Sequence, residues 1–219
     1  MDIIQAIKER HSVRVYSGKK IEEEKRRKID TLIEECNEES GLHIQIRYDD
    51  PSGFDSRLAH YGKFRNVENY IILAGIPSDD LQEKCGYYGE KLVLAAQMMG
   101  LNTCWTALTF NKTNVKKIIP MTEKLVLVIA IGYGADQGKA HKSKKIESVM
   151  ATKGEMPDGF RKGAEAALLA PTAMNQQKFK MGIKDGSPVI RAAGKGPYTK
   201  IDLGIVKYHF EIASGHKVR

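Results

Sequence analysis

Cysteine is scarce in this chain and is never paired in sequence. Cys36, Cys85 and Cys104 are the only three, an odd number, and no Cys-x-x-Cys occurs. A disulfide framework and a structural zinc site are therefore excluded as organising devices, and a reducing compartment is expected. Long apolar runs are missing too. The longest, residues 125–131, is far short of the ~20 residues that span a bilayer. Charges interrupt every apolar run between Met1 and Arg10, so that segment lacks the shape of a secretory leader. The expectation is a soluble cytoplasmic protein with no membrane partner. Aromatic residues make up 7% of the chain, with Trp105 the only tryptophan. That is no stacking array of the kind single-stranded nucleic-acid binders use. The charge is +8, and the excess is spread along the chain. It favours anions in general, such as phosphorylated cofactors or acidic substrates. A basic nucleic-acid module has only this charge behind it, so nucleic acid is not expected as a partner.

What is present is ordinary globular material. The 219 residues, 42% hydrophobic and 28% charged, suffice for one large or two small domains with a real core. Asp2 with Gln5 has capping-box spacing, and Ile3, Ile4 and Ile7 share one face, so a helix opens the chain. A second helix spans 21–36, with Ile29, Leu32, Ile33 and Cys36 on one side and a run of charges on the other. Residues 42–48 alternate as a strand, 49–63 read as loop, and 67–74 read as an apolar strand. A third helix starts near 78–80 and stops at Gly100. Its stripe of Leu92, Ala95, Ala96 and Met99 is core-like, and Met98 and Met99 are expected to fill the core. Residues 125–133 read as a central buried strand, followed by a loop that carries Lys139, Lys142, Lys144 and Lys145. Residues 151–159 read as a linker. A helix over 163–169, strands over 178–183 and 188–193, and a helix over 201–214 complete the chain. Gly89 and Gly100 align with Gly204 and Gly215 at one constant offset, a weak repeat that points to two related halves.

Three stretches could carry chemistry. Arg10, His11, Ser12, Val13 and Arg14 place two guanidiniums and a hydroxyl within five residues. Arginine presents a rigid fork of donors matched to phosphate oxygens. The plainer alternative is a basic surface turn. Residues 170–177, APTAMNQQ, form a turn that Pro171 forces by ending the helix before it. Asn175 and Gln177 each offer a donor and an acceptor on one amide, which suits the edge of a flat heterocycle. Taken alone, the turn reads as a polar helix-to-strand loop. Cys104 has no histidine adjacent in sequence to activate it and reads as a buried structural thiol.

In this order, R-x-S-x-R at 10–14, AAQMMGLNTCW at 95–105, IAIGY with its lysine loop at 129–145 and APTAMNQQ at 170–177 resemble the FMN-dependent nitroreductase family. The likeness is strongest to its putative, TM-type branch, in which two half-repeats are fused in one chain. The resemblance covers most of the sequence. In the usual family member an A-P-S-x-x-N-x-Q-P turn follows the second helix. Here residues 34–41 hold no proline, the turn appears in the second half, and Lys178 stands where the motif ends in proline.

The resemblance implies an α+β fold, a mainly antiparallel sheet flanked by helices, arranged as a pseudo-dimer. The first half would be residues 1–150, and a shorter second half, 151–219, would pack on it. Arg10, Ser12 and Arg14, with Lys142 and Lys144, would hold the FMN phosphate, and His11 would contribute through its backbone or ring. Pro171, Thr172 and Ala173 would line the dimethylbenzene or ribityl side of the flavin. Asn175 and Gln177 would face polar groups of the ring or ribityl chain. Trp105, Thr106, Ala107 and Leu108 would run past flavin N5. No catalytic side chain and no metal is implied. The implied activity is a ping-pong reduction, driven by NAD(P)H, of a small-molecule acceptor such as a nitroaromatic or quinone. The alternative is a non-catalytic flavin-binding protein for storage or redox sensing. A monomer is expected, with a dimer as the other arrangement.

Overall fold

The computed structural model describes residues 1–151 and 156–219. The centre of the expected linker therefore lies outside the described residues. Two compact units are present. A sheet unit comprises Arg10–Leu81 and Leu92–Lys139. A helical unit comprises Met1–Glu9, Gln82–Lys91 and Ala140–Arg219. The elements in chain order are α1 (Ile3–Glu9), α2 (Glu23–Ser40), β1 (Gln45–Arg47), α3 (Arg57–Tyr61), β2 (Tyr70–Gly75), α4 (Leu81–Met98), β3 (Asn102–Thr106), α5 (Lys112–Lys116), β4 (Lys124–Gly132), α6 (Ile146–Val149), α7 (Phe160–Ala167), β5 (Phe179–Lys184), β6 (Ser187–Ala192) and α8 (Thr199–Ser214).

The sheet unit is built on four antiparallel strands in the order β1-β2-β4-β3. β2 is buried along its whole length, which is why it reads as a continuous apolar run and not as an alternation. On one face Tyr70 and Ile72 stand opposite Ala130 and Val128, and Cys104 and Thr106 stand opposite the same two residues from the other side. Phe54, Phe64, Val67, Phe110 and Val115 join that face in one apolar cluster. Phe54 meets Phe64 edge-on at 4.8 Å and Tyr70 at 5.9 Å between ring centroids. A Cβ on Gly53 would stand 2.6 Å from the Tyr70 ring, so a glycine is required for that ring to lie there.

Two local differences from the sequence reading have physical causes. Residues 42–44 are not strand. The Asn37 amide accepts from the Ile44 N–H (2.7 Å) and donates to the Ile44 carbonyl (2.9 Å), which ties this edge of the sheet to α2. Gln45–Arg47 forms the regular ladder with β2, and His43 N–H still donates to the Ala74 carbonyl at 2.9 Å. The stretch read as loop contains α3, whose Ser56 hydroxyl accepts from the Ala59 N–H at 3.2 Å as an N-cap. At the end of α4, Met98 is exposed instead of filling the core.

In the helical unit α7 and α8 pack along each other, with Phe160 edge-on to Phe210 at 5.1 Å. The part of α4 in this unit meets α8 at a glycine contact: a Cβ on Gly86 would lie 2.1 Å from the Ile201 carbonyl oxygen. His209 and Glu90 are both wholly buried. His209 Nε2 bonds Glu90 Oε1 at 2.8 Å, and Nδ1 donates to the Ala166 carbonyl at 3.0 Å. One imidazole thus ties three helices through both of its nitrogens. β5 and β6 form a hairpin closed by Asp185 and Gly186, both at positive φ, as a two-residue Asp-Gly turn demands. Among the described residues no helix is long and apolar enough to cross a membrane.

Candidate functional site

In the sheet unit the arginine segment is woven into the sheet by its backbone. Val13 N–H donates to the Thr103 carbonyl at 3.0 Å, where Ser12 bridges Thr103 at the start of β3. Further along, Arg65 N–H donates to the Arg14 carbonyl, Ser17 N–H to Tyr133 and Ala135 N–H to Val15. These bonds fix the segment alongside the exit of β4, and the loop after β4 folds back over it. Asn102 holds that loop: its Oδ1 accepts from the Gly134 N–H at 2.9 Å, and its Nδ2 donates to Gln137 at 3.0 Å. His11 Nδ1 bonds the Gln137 carbonyl at 3.3 Å. Gly138, at φ +69°, comes so close that a Cβ there would lie 2.8 Å from that of His11.

The two arginines differ. Arg10 is buried, whereas Arg14 is exposed, with its guanidinium 6.0 Å from the centre of the Phe64 ring. His11 and Ser12 are half-buried. A concentration of cationic and hydroxyl donors on a backbone held in place is suited to a phosphate. Trp105 and Ala107 are half-buried, Thr106 is buried, and Leu108 is exposed. Thr106 Oγ1 donates to the Cys104 carbonyl at 3.1 Å. Burial raises the thiol pKa of Cys104, although Arg14 pulls the other way, so a ready nucleophile is not what this site holds.

The helical unit contains the turn and the lysine loop, and it brings them into direct contact. Pro171, Thr172 and Ala173 are half-buried, and Met174 and Asn175 are exposed. Met174, Asn175 and Gln177 all have positive φ, between 46° and 53°. Three left-handed residues within four positions are strained unless other bonds hold them. Those bonds are visible. Ala173 N–H donates to Asp202 Oδ1 on α8 at 2.9 Å, and Gln177 N–H donates to Thr172 Oγ1 at 3.1 Å. Burial lifts the Asp202 carboxyl to about 6, against the opposing pull of the Ala173 N–H and of Lys178.

Gln177 is 1% exposed. Its Oε1 accepts from the Lys144 N–H at 2.8 Å, and its Nε2 donates to Asn175 Oδ1 at 3.0 Å. Asn175 Nδ2 donates to the Lys142 carbonyl at 2.8 Å, and Lys144 Nζ donates to the Gln177 carbonyl at 3.0 Å. The same loop is pinned to the end of α7. His141 Nε2 donates to the Leu169 carbonyl at 3.2 Å, and Ser143 Oγ donates to the Leu168 carbonyl at 2.9 Å. These are carbonyls that a helix end leaves without partners. The side chains of Lys142 and Lys144 are exposed. Asp202, His141 and Ser143 were not singled out in the sequence. An acid in the first turn of a helix and a His/Ser pair in a basic loop carry no mark of their distant partners.

The family model for the putative TM nitroreductases matches residues 2–214. Among solved structures, a putative nitroreductase of Thermotoga maritima is similar at 25% identity with a TM-score of 0.70, over 97% of this chain and 83% of that one. A putative NADH dehydrogenase/NAD(P)H nitroreductase of Bacteroides thetaiotaomicron is similar at 26% identity with a TM-score of 0.54, over 67% of this chain and 95% of that one. A putative nitroreductase of Desulfovibrio desulfuricans, solved in complex with FMN, shares the fold at 18% identity with a TM-score of 0.55, over 72% of this chain and 99% of that one. No curated protein matches.

Proposed function

The chain belongs to the putative TM nitroreductase family, and on that premise we propose that it is an FMN-dependent oxidoreductase. Electrons come from NAD(P)H in this reading, and the acceptor is a nitroaromatic, a quinone or a molecule of similar chemistry. The observation that carries it is the arginine segment, whose Arg10, Ser12 and Arg14 sit on a backbone tied to Thr103, Arg65 and the loop after β4. That donor set fits the phosphate of FMN: cations and a hydroxyl, prearranged before the ligand arrives. In the helical unit, Lys142 and Lys144 are exposed cations of the kind that serve a phosphate, and in the sheet unit His11 assists the arginine segment from its half-buried position.

Bound there, FMN supplies the two-electron redox chemistry that no side chain of the protein offers. The residues hold and orient it. The stretch Trp105 to Leu108 would offer backbone N–H groups to a flavin ring, and in the helical unit Pro171, Thr172 and Ala173 would offer it a half-buried surface. The Bacteroides relative carries NAD(P)H in its name and the Desulfovibrio structure holds FMN, and both support this choice of donor and cofactor.

The test is the purified protein itself. A yellow preparation with flavin absorption, oxidising NAD(P)H faster when a nitroaromatic is added, is the expected result. Bound flavin without turnover would make the protein a flavin carrier or sensor. A colourless preparation that takes up no FMN would overturn the proposal.

A further inference from the structure

We propose that Gln177 is a positioning residue, which sets the shape of the 141–145 lysine loop and does not itself contact the flavin. The inference rests on the FMN reading above and refines it. An amide side chain has one acceptor oxygen and one donor nitrogen. Both ends of Gln177 are engaged inside the protein, the oxygen on the Lys144 N–H and the nitrogen on Asn175 Oδ1. At 1% exposure nothing of it is left over to meet a ligand edge. Asn175 is committed in the same direction, since its nitrogen donates to the Lys142 carbonyl. The two amides of the turn thus hold the backbone of residues 142 and 144, the two lysines assigned to the phosphate.

The strain of the turn supports the same conclusion. Gln177 sits at φ 46°, a conformation that a long side chain does not adopt without compensation. The compensation comes from the residue's own bonds: backbone N–H to Thr172, backbone carbonyl from Lys144 Nζ, side-chain oxygen from the Lys144 N–H, and side-chain nitrogen to Asn175 Oδ1 and, at 3.4 Å, the Lys142 carbonyl. His141 and Ser143 secure the loop's other side to the end of α7. The loop is therefore shaped before any anion arrives, and an ammonium on a fixed backbone loses less entropy on binding than one on a free loop.

The experiment uses hydrogen exchange of the flavin-free protein together with flavin affinity. Gln177→Met keeps size but removes both amide ends. Gln177→Asn accepts the left-handed backbone more readily but is one methylene too short to reach Lys144, and it serves if the Met variant does not fold. In either variant the Lys144 amide is expected to exchange about tenfold faster or more, as loss of a buried bond worth ~1–3 kcal/mol requires. FMN affinity should fall by a similar factor while riboflavin affinity stays at the parental value, because the lysines serve the phosphate.

An unchanged exchange rate at Lys144 in a folded variant overturns the proposal. So does an equal loss of FMN and riboflavin affinity, which would put Gln177 against the flavin body. If the parent binds no flavin at all, the functional reading fails, and the exchange rate alone still decides whether Gln177 positions the loop.

Discussion

Asp202 shows how one residue acts far from its place in the sequence. It lies in the first turn of α8, yet its carboxylate secures the Ala173 N–H at the entry to the strained turn. Burial raises it from an ordinary 3.8 to about 6, so the folded chain holds that proton more tightly than the unfolded chain does. The sign follows: stability from this group is fully present below about pH 4 and is lost as pH rises through about 6. Asp202→Asn keeps an acceptor for Ala173 and removes the titration. Urea melts between pH 4 and pH 7 should show the variant gaining on the parent by up to about 3 kcal/mol. Parallel pH profiles would mean that Asp202 titrates as it does in the unfolded chain. Cys85 illustrates burial without a task. It is buried with no charge to lower its thiol, which is pushed up to about 12.

At the scale of elements, the contact of α4 and α8 is set by what is missing from two side chains. A Cβ at Gly204 would stand 2.0 Å from the Glu83 carbonyl oxygen and 2.6 Å from the Tyr87 nitrogen. Both obstacles are backbone and cannot rotate away. Gly204→Ala is expected to cost about 3 kcal/mol or more, the upper end of what overpacking does. Gly215→Ala, at the left-handed cap of α8 with nothing within 4 Å, should cost only ~1–2 kcal/mol, the price of its backbone conformation. Chemical denaturation of the two variants checks the ranking, and equal losses would show that α4 and α8 are free to separate. Of the two contact glycines, Gly204 stood in the sequence as one member of a repeat and Gly86 was not singled out. Their reason, two helix backbones touching, was not visible there, because a spacing within one helix carries no information about its neighbour.

At the scale of the whole chain, one R-x-S-x-R segment and one A-P-T turn occur, each once. We therefore expect one flavin per chain. FMN released by denaturation, measured against protein concentration, should approach one equivalent. Two equivalents would mean that a second site exists with no arginine segment of its own, and the expectation of one flavin per chain would fall.

The sequence by itself determined the class of the protein and most of its elements. Period-3.6 stripes gave α2 and the stripe of α4, and continuous apolar runs gave β2 and β4, because burial of apolar surface imposes those spacings whatever the neighbours are. The motif residues also determined the family. Local departures were decided by tertiary contacts. The backbone of Ile44 is tied to Asn37 on α2, and a stretch with no hydrophobic period acquired order by covering Tyr70. The candidate site divides the same way. The phosphate role proposed for Arg10 to Arg14 rests on local chemistry, which a sequence displays. The role of Gln177 was not legible there, since an amide with one donor and one acceptor end suits a flavin edge as well as it suits Lys144 and Asn175. Which of these it meets depends on where the chain puts residue 144, and only the folded structure specifies that.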